Sequence, residues 1–293
     1  MSELPALKKV CCVVCASDVH RVRYVIKGLQ IVQCSDCSFV YVNSRMPDEN
    51  LYGLYQKNYF NNPEIGYSNY TQHKSALIKT FEERLAFIQP FVKSREHVLD
   101  VGCASGYFLD VLAAQGWKGI EGIELDPELA KELKLKYNVF DQPIEKIKLE
   151  QQYDLITLFD VIEHIPLLNE ALENIKNGLA ADGLFVIATP NYDSWQRKLL
   201  GKRWPHFKPL EHIYYFDATS LTKILGNHKL KVLKIIPQGT YYEMSYVEKR
   251  MRQYGFNGAG AVLGFINRIL KLKNKFIHLN SGGMLVLAKH AKD

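Results

Sequence analysis

The chain has 293 residues, 47% of them hydrophobic, with 37 Lys and Arg against 31 Asp and Glu, a formal net charge of +6. That size and apolar content suffice for one large core plus a small extra module, and the apolar runs are too short to span a bilayer. No secretory leader is visible in an N-terminus that carries Glu3 and Pro5 ahead of Lys8 and Lys9, so a cytoplasmic protein is expected, without internal repeats or low-complexity linkers.

The first signal in chain order is a pair of knuckles, Cys12-Val-Val-Cys15 and Cys34-Ser-Asp-Cys37, separated by eighteen residues. This spacing suits a tetrahedral zinc ion held by four thiolates, and a shell closed by protein sulfur makes such an ion structural. Cys11 competes with Cys12 as a ligand, but the two-residue knuckle spacing favours Cys12. Only Cys11 and Cys103 remain, too few for a disulfide framework. Between the knuckles, Val19 to Val32 alternates like strands around a turn at Gly28, which predicts a zinc ribbon over residues 1–45. Residues 46–94 read as a helical, Tyr-rich linker and lid. Its tyrosines at 52, 55, 59, 67 and 70 are candidates to line a pocket, most of them serving packing.

His97-Val-Leu-Asp-Val-Gly-Cys-Ala-Ser-Gly106 predicts a buried strand that stops in a small-residue turn and passes into a helix from Tyr107 to Gln115. Such a junction exposes helix N-terminal amides beside backbone free of side-chain bulk, where an adenosine-bearing cofactor can approach. Gly102, Ala104 and Gly106 alternate, and Tyr107 stands where a dinucleotide fingerprint would need a third glycine, which argues against NAD. A second strand over Lys118 to Glu124 ends on a carboxylate about twenty residues past the turn, as a ribose ligand requires. Asp126 and Pro127 then cap a helix running to about Tyr137. Tyr153 to Asp160 and Leu184 to Ala188 are apolar enough for parallel strands buried on both faces, with a helix at Leu168 to Leu179 and a turn at Asp182-Gly183 between them. Ser281 to Lys289 supplies a last strand. The cadence predicts an α/β fold, a doubly wound sheet with its ligand beyond the carboxyl ends of the strands.

The string DVGCASG resembles the first motif of class I S-adenosylmethionine (SAM) methyltransferases, with Ala104 in the usual middle glycine position. LFDVIEHI at Leu158 to Ile165 and a downstream His in Leu210-Glu-His-Ile-Tyr-Tyr-Phe216 extend the resemblance. With the knuckles, nearly the whole chain is similar to bacterial fusions of a zinc ribbon to a methyltransferase, which implies a Rossmann-like seven-stranded sheet over 95–293, with a basic insertion at 191–216 and a C-terminal helix before the final strand. The resemblance implies that Asp100 and Gly102 handle the methionine end and Glu124 the ribose. Cys103, Ala104, Gly106, Tyr107, Leu125, Phe159 and Asp160 would complete the seat, and the Asp141 to Ile144 loop would cover adenine through Gln142 and Ile144. That loop places Pro143 where an acidic residue is common.

Methyl transfer from a sulfonium needs alignment and removal of a proton from the acceptor. Histidine suits the second task, so His164 and His212 are candidate bases, with Glu163 and Glu211 as orienting carboxylates. The rival reading, implied by the resembling RNA 2′-O-methylating branch, makes Asp160, Glu163, His164 and His212 a divalent-metal cluster; the plainer one leaves His164 and Glu163 as capping groups. Trp195 to Lys208 interleaves aromatics with cations where an acceptor would bind. Val262, Leu263, Phe265, Ile266, Ile269 and Leu270 recur at helical spacing beside Arg268, Lys271, Lys273 and Lys275. A helix packing this apolar face on the domain is favoured over an interfacial helix or lid. The expected acceptor is a small molecule, sugar or glycan intermediate, with peripheral membrane contact as an option. An RNA-binding methyltransferase and a catalytically silent SAM-binding scaffold are the alternatives, and the oligomeric state is not legible.

Overall fold

A computed structural model describes residues 6–55, 73–253, 257–270, 272 and 275–291. The predicted tyrosines at 59, 67 and 70 and the lysines at 271 and 273 lie outside the described residues. Among the described residues no helix is long and apolar enough to cross a membrane.

The ribbon begins as a hairpin of β1 (His20–Ile26) and β2 (Leu29–Cys34), closed by Lys27 and Gly28. Both turn residues have positive φ, 52° and 78°, which matches the right-handed twist of the flanking strands. β3 (Val40–Val42) follows, and the sheet is completed by β9 (Tyr214–Tyr215), two residues from far along the chain, in the order β1-β2-β3-β9. The ribbon therefore shares its sheet with the predicted insertion. Cys12, Cys34, Phe39 and Tyr41 also belong to the same buried cluster as Leu158, Ile162 and Ile213.

The linker forms α1 (Asp48–Tyr55) and α2 (Lys74–Ile88). Then β4 (Val98–Val101), α3 (Tyr107–Ala114), β5 (Ile120–Ile123), α4 (Pro127–Leu133), β6 (Asn138–Phe140), β7 (Tyr153–Phe159), α5 (Leu168–Gly178) and β8 (Leu179–Pro190) alternate. After α6 (Trp195–Leu200) and α7 (Ala218–Asn227), β10 (Leu230–Glu243) leads into α8 (Met244–Gln253), α9 (Asn257–Ile269) and β11 (Phe276–His290). The seven-stranded order is β10-β11-β8-β7-β4-β5-β6, with β11 antiparallel to both neighbours and β4 to β8 parallel. The order reverses at β4, between β5 and β7, and the ligand crevice of an open parallel sheet lies at such a switch point.

Three local expectations differ. The helix after Asp126 ends at Leu133 rather than near Tyr137, because the short β6, unforeseen at three residues, must begin at Asn138 to pair with β5. Asp182-Gly183 is no free turn but lies within β8, where the register with β7 shifts between Tyr153 and Leu155 and a Cβ on Gly183 would come 2.7 Å from the Tyr153 carbonyl. The apolar face of α9 is not packed on the domain. Gly260, Gly264 and Asn267 face α8: a Cβ at Gly264 would collide with the Glu248 carboxylate, and Asn267 donates to the Met244 carbonyl at 3.3 Å. The large side chains are thereby turned outward.

Candidate active site and metal centre

The turn after β4 has its left-handed residues at alternate positions: Gly102 (φ 78°), Ala104 (φ 49°) and Gly106 (φ 73°). A side chain at Gly102 would strike Val161, and one at Gly106 would strike Leu133 of α4. The amides of Gly102 and Cys103 both donate to the Ile123 carbonyl, at 2.8 and 2.9 Å, and Ala104 donates to Glu124 Oε2 at 2.7 Å. These three turn amides, which precede α3, are therefore engaged within the fold. What the turn offers a ligand is closeness.

Glu124, at the end of β5, also accepts from the Asp126 amide through Oε1 at 2.8 Å, which locks it against the turn. Asp100 accepts from Thr157 Oγ1 at 2.6 Å. Burial pushes both carboxyls up to about 7. Asp160 follows β7 in a left-handed conformation (φ 57°) and faces Arg84 Nη2 of α2 at 3.7 Å. Its carboxyl is open to the cavity, where desolvation raises its pKa against the lowering charge of Arg84.

These groups line a cavity of 720 Å³, within the range of small-ligand sites. Asp100, Gly102, Cys103, Ala104, Glu124, Leu125, Ile144, Phe159 and Asp160 are all in its wall, as are Glu163, His164 and His212. Gly106, Tyr107 and Gln142 are not. Gly106 and Tyr107 start α3, with the tyrosine ring buried in the core beside α2, and Gln142 is exposed while Pro143, Ile144 and Glu145 form the wall in its place. Tyr52 and Tyr55 reach the cavity from α1, and the Tyr52 hydroxyl donates to Glu145. Sequence reasoning missed Arg84, and also Tyr241, Tyr242, Tyr246 and Arg250 from β10 and α8. A cation inside the amphipathic α2 was the one visible signal; the others sit on elements that approach the cavity only through the fold.

Glu163, His164 and His212 converge, each offering a ligand atom within 4.8 Å of the others, and the two imidazoles meet edge to face with centroids 4.7 Å apart. His164 Nδ1 lies 3.0 Å from the Glu211 carbonyl, which can only accept. Nδ1 therefore carries the proton and Nε2 keeps its lone pair. The Tyr55 hydroxyl approaches the same Nδ1 at 2.8 Å. Glu211 thus orients His164 through its backbone, not as the expected carboxylate, which instead faces Lys208 Nζ at 3.7 Å. Burial drives His164 down to about 3 and His212 well below its ordinary value, so both are neutral at working pH. Glu163 is pushed up to about 8, by burial first and then by Asp160. Its Oε2 accepts from Thr189 at 3.0 Å while Oε1 is buried without a hydrogen bond. Asp160 is not one of the clustered ligands, so the expected four-residue metal set contracts to three.

The cysteine cluster has a repeated backbone. Ala16 and Ser38, one past each knuckle, are left-handed (φ 61° and 63°) and return their amides to the carbonyls of Cys12 and Cys34, at 2.8 and 3.1 Å. Cys12 Sγ lies 3.4 Å from Cys37 Sγ and Cys15 Sγ 3.5 Å from Cys34 Sγ, with all four within 4.8 Å. Sulfurs around a tetrahedral zinc with bonds of about 2.3 Å stand roughly 3.8 Å apart, so this donor set fits the ion. Cys12 is buried in the cluster and Cys11 is exposed, which decides between them.

The sequence profile of a family described as a methyltransferase domain matches residues 71–235. The chain belongs to the class I SAM-dependent methyltransferase family. It is similar to a ubiquinone biosynthesis O-methyltransferase of Rickettsia canadensis, 32% identical over 104 residues, which are 33% of this chain and 44% of that one. This chain thus spans less than half the length of that curated relative. An uncharacterised protein of Methanocaldococcus jannaschii is 26% identical over 190 residues, 63% of this chain and 70% of the other. Among solved structures, the 1,6-didemethyltoxoflavin-N1-methyltransferase of Burkholderia thailandensis superposes with a TM-score of 0.53 at 14% identity, covering 93% of this chain and all of that one, which shows the shared fold.

Proposed function

We propose that this chain transfers a methyl group from SAM to an oxygen of a small-molecule acceptor, and that the ribbon cysteines Cys12, Cys15, Cys34 and Cys37 hold a structural zinc ion. The observation that carries the reading is the juxtaposition, in one cavity, of the bare turn at Gly102 to Ala104, the Glu124 carboxylate and the neutral His164 and His212. SAM supplies a methyl already activated on a sulfonium. Asp100 and Arg84 supply opposite charges for the zwitterionic methionine end, Glu124 is placed for the ribose hydroxyls, and Pro143 and Ile144 wall the adenine side. His164, fixed by the Glu211 carbonyl, presents an unprotonated Nε2 that would take the acceptor proton while the oxygen–carbon bond forms and the carbon–sulfur bond of the sulfonium breaks, the neutral thioether S-adenosylhomocysteine leaving. The name of the Rickettsia relative, a ubiquinone biosynthesis O-methyltransferase, supports an oxygen acceptor on a small molecule.

A second reading has its own observation: the orphaned Glu163 Oε1 beside two neutral imidazoles is a donor set that fits a divalent cation. Such an ion would polarise an acceptor hydroxyl, with Glu163, His164 and His212 holding it. Incubation with methyl-labelled SAM and a panel of phenolic and sugar acceptors tests the proposal. Label is expected on one acceptor class, reduced at least about a hundredfold by His164→Ala or His212→Ala. Loss of wild-type turnover on chelation, restored by added divalent ion, selects the metal-assisted form. No affinity for SAM, or full turnover in both histidine variants, would overturn the assignment.

A further inference from the structure

The α8–α9 hairpin carries two features that the methyl-transfer reading does not use. The first is apolar. Val262, Phe265, Ile266 and Ile269 of α9, with Leu270 directly after its last turn, lie on one face and are between 39% and 64% exposed. They stand opposite the Gly260, Gly264 and Asn267 face that packs on α8. Five large side chains gathered on one solvent-facing stripe of a short helix form a contiguous patch of the kind monomeric surfaces avoid unless something covers it.

The second feature is charge. From Met244 to Lys275 the sequence holds seven cations (Lys249, Arg250, Arg252, Arg268, Lys271, Lys273 and Lys275) and one acid, Glu248. The remaining 261 residues hold thirty of each sign, so the whole net charge of +6 resides in this segment. The same hairpin roofs the cavity: Tyr246, Val247, Arg250 and Met251 of α8 are in its wall.

We infer that the α8–α9 hairpin is a membrane-docking element that lays the apolar stripe of α9 into an anionic lipid surface. An apolar face flanked by cations is the composition of an interfacial helix, in which side chains enter the acyl boundary while cations meet anionic headgroups. The two features together select this occupant. A nucleic acid would answer the cations but leave Phe265 and Ile269 in water, and a second copy of the chain would cover the stripe only by apposing two segments of charge +6. Docked in this way, the protein presents the roof of its cavity to the bilayer, so that an amphiphilic acceptor is reached from the lipid side. This goes beyond the proposed reaction and does not depend on turnover.

The test is sedimentation of the full-length protein with vesicles of phosphatidylcholine alone or of equimolar phosphatidylcholine and phosphatidylglycerol. Binding at least about tenfold stronger to the anionic vesicles is expected, weakening as salt is raised. Lys249→Gln and Arg268→Gln should each lower it about fivefold. Phe265→Ser with Ile269→Ser should abolish it while SAM binding, the control for folding, is unchanged. Equal binding to both vesicle types, no binding to either, or undiminished binding by the double serine variant would overturn the inference. So would a concentration-dependent dimer that the double serine variant abolishes, or retention of RNA in place of vesicles.

Discussion

The amide of Val42 donates to the carbonyl of Ile213 at 2.9 Å, one residue past His212. The amide of Ile213 in turn donates to the Glu163 carbonyl at 3.0 Å. A strand of the cysteine ribbon thus holds the segment that delivers His212, and the same segment is tied to the loop that delivers Glu163 and His164. The ribbon is part of the scaffold that holds the Glu163, His164 and His212 corner of the cavity, though its cysteines lie outside the cavity wall.

Removal of the metal proposed for the ribbon is therefore expected to reach the chemistry. With chelator, or in Cys37→Ser, β3 loses the frame that sets its register, so turnover should fall at least about tenfold. SAM affinity, assigned in the proposal to the ends of β4 and β5, should change less than about threefold. Cys11→Ser, altering an exposed cysteine outside the cluster, is the control. Calorimetry of SAM binding beside turnover separates the two effects; a parallel loss of both would show general unfolding instead.

Glu124 accepts hydrogen bonds from the Ala104 amide in the turn and from the amide of Asp126, the residue that caps α4, so its replacement damages the proposed cofactor seat twice. Glu124→Gln keeps an acceptor but loses the charge, and Glu124→Ala loses both. With charge-assisted hydrogen bonds at about 1.5–3 kcal/mol, SAM affinity should drop roughly tenfold to a hundredfold, more in the alanine variant. Titration calorimetry reads this directly.

Asp100 and Glu124 have folded-state pKa values near 7, above their ordinary values of 3.8 and 4.5, with burial as the leading cause. Below the ordinary range both folded and unfolded chains hold these protons. Between roughly 4 and 7 the unfolded chain has released them while the folded chain retains them, so the ligand-free protein should lose stability as pH rises through that window and level off above it. Thermal unfolding against pH measures the slope, which Asp100→Asn should flatten.

Ala104 adopts a left-handed conformation at φ 49° that costs a residue with a Cβ. Ala104→Gly is expected to raise stability by about 1 kcal/mol, a shift of a few degrees in Tm, after allowance for the extra freedom of glycine in the unfolded chain. A drop in Tm would mean that the Ala104 methyl makes a packing contribution larger than its backbone strain.

The sequence by itself determined the motifs whose geometry depends on local spacing. Knuckle pairs two residues apart define a four-sulfur cage, alternating small residues after an apolar strand define a close-approach turn, and an acid twenty residues later defines the end of the second strand. Such features are legible because their geometry is fixed by neighbours along the chain, and the structure has these groups where the spacing suggested. Only the tertiary structure decided which distant groups share a wall. Arg84 enters the cavity because α2 crosses over it, and Tyr107 leaves it because α3 turns that face to the core. The short β9 completes the ribbon sheet because the segment after His212 crosses to β3. The outward stripe of α9 follows from glycine packing on α8, a choice of face that helical periodicity leaves open: the period shows that one side is apolar, and only the partner surface decides which side is buried.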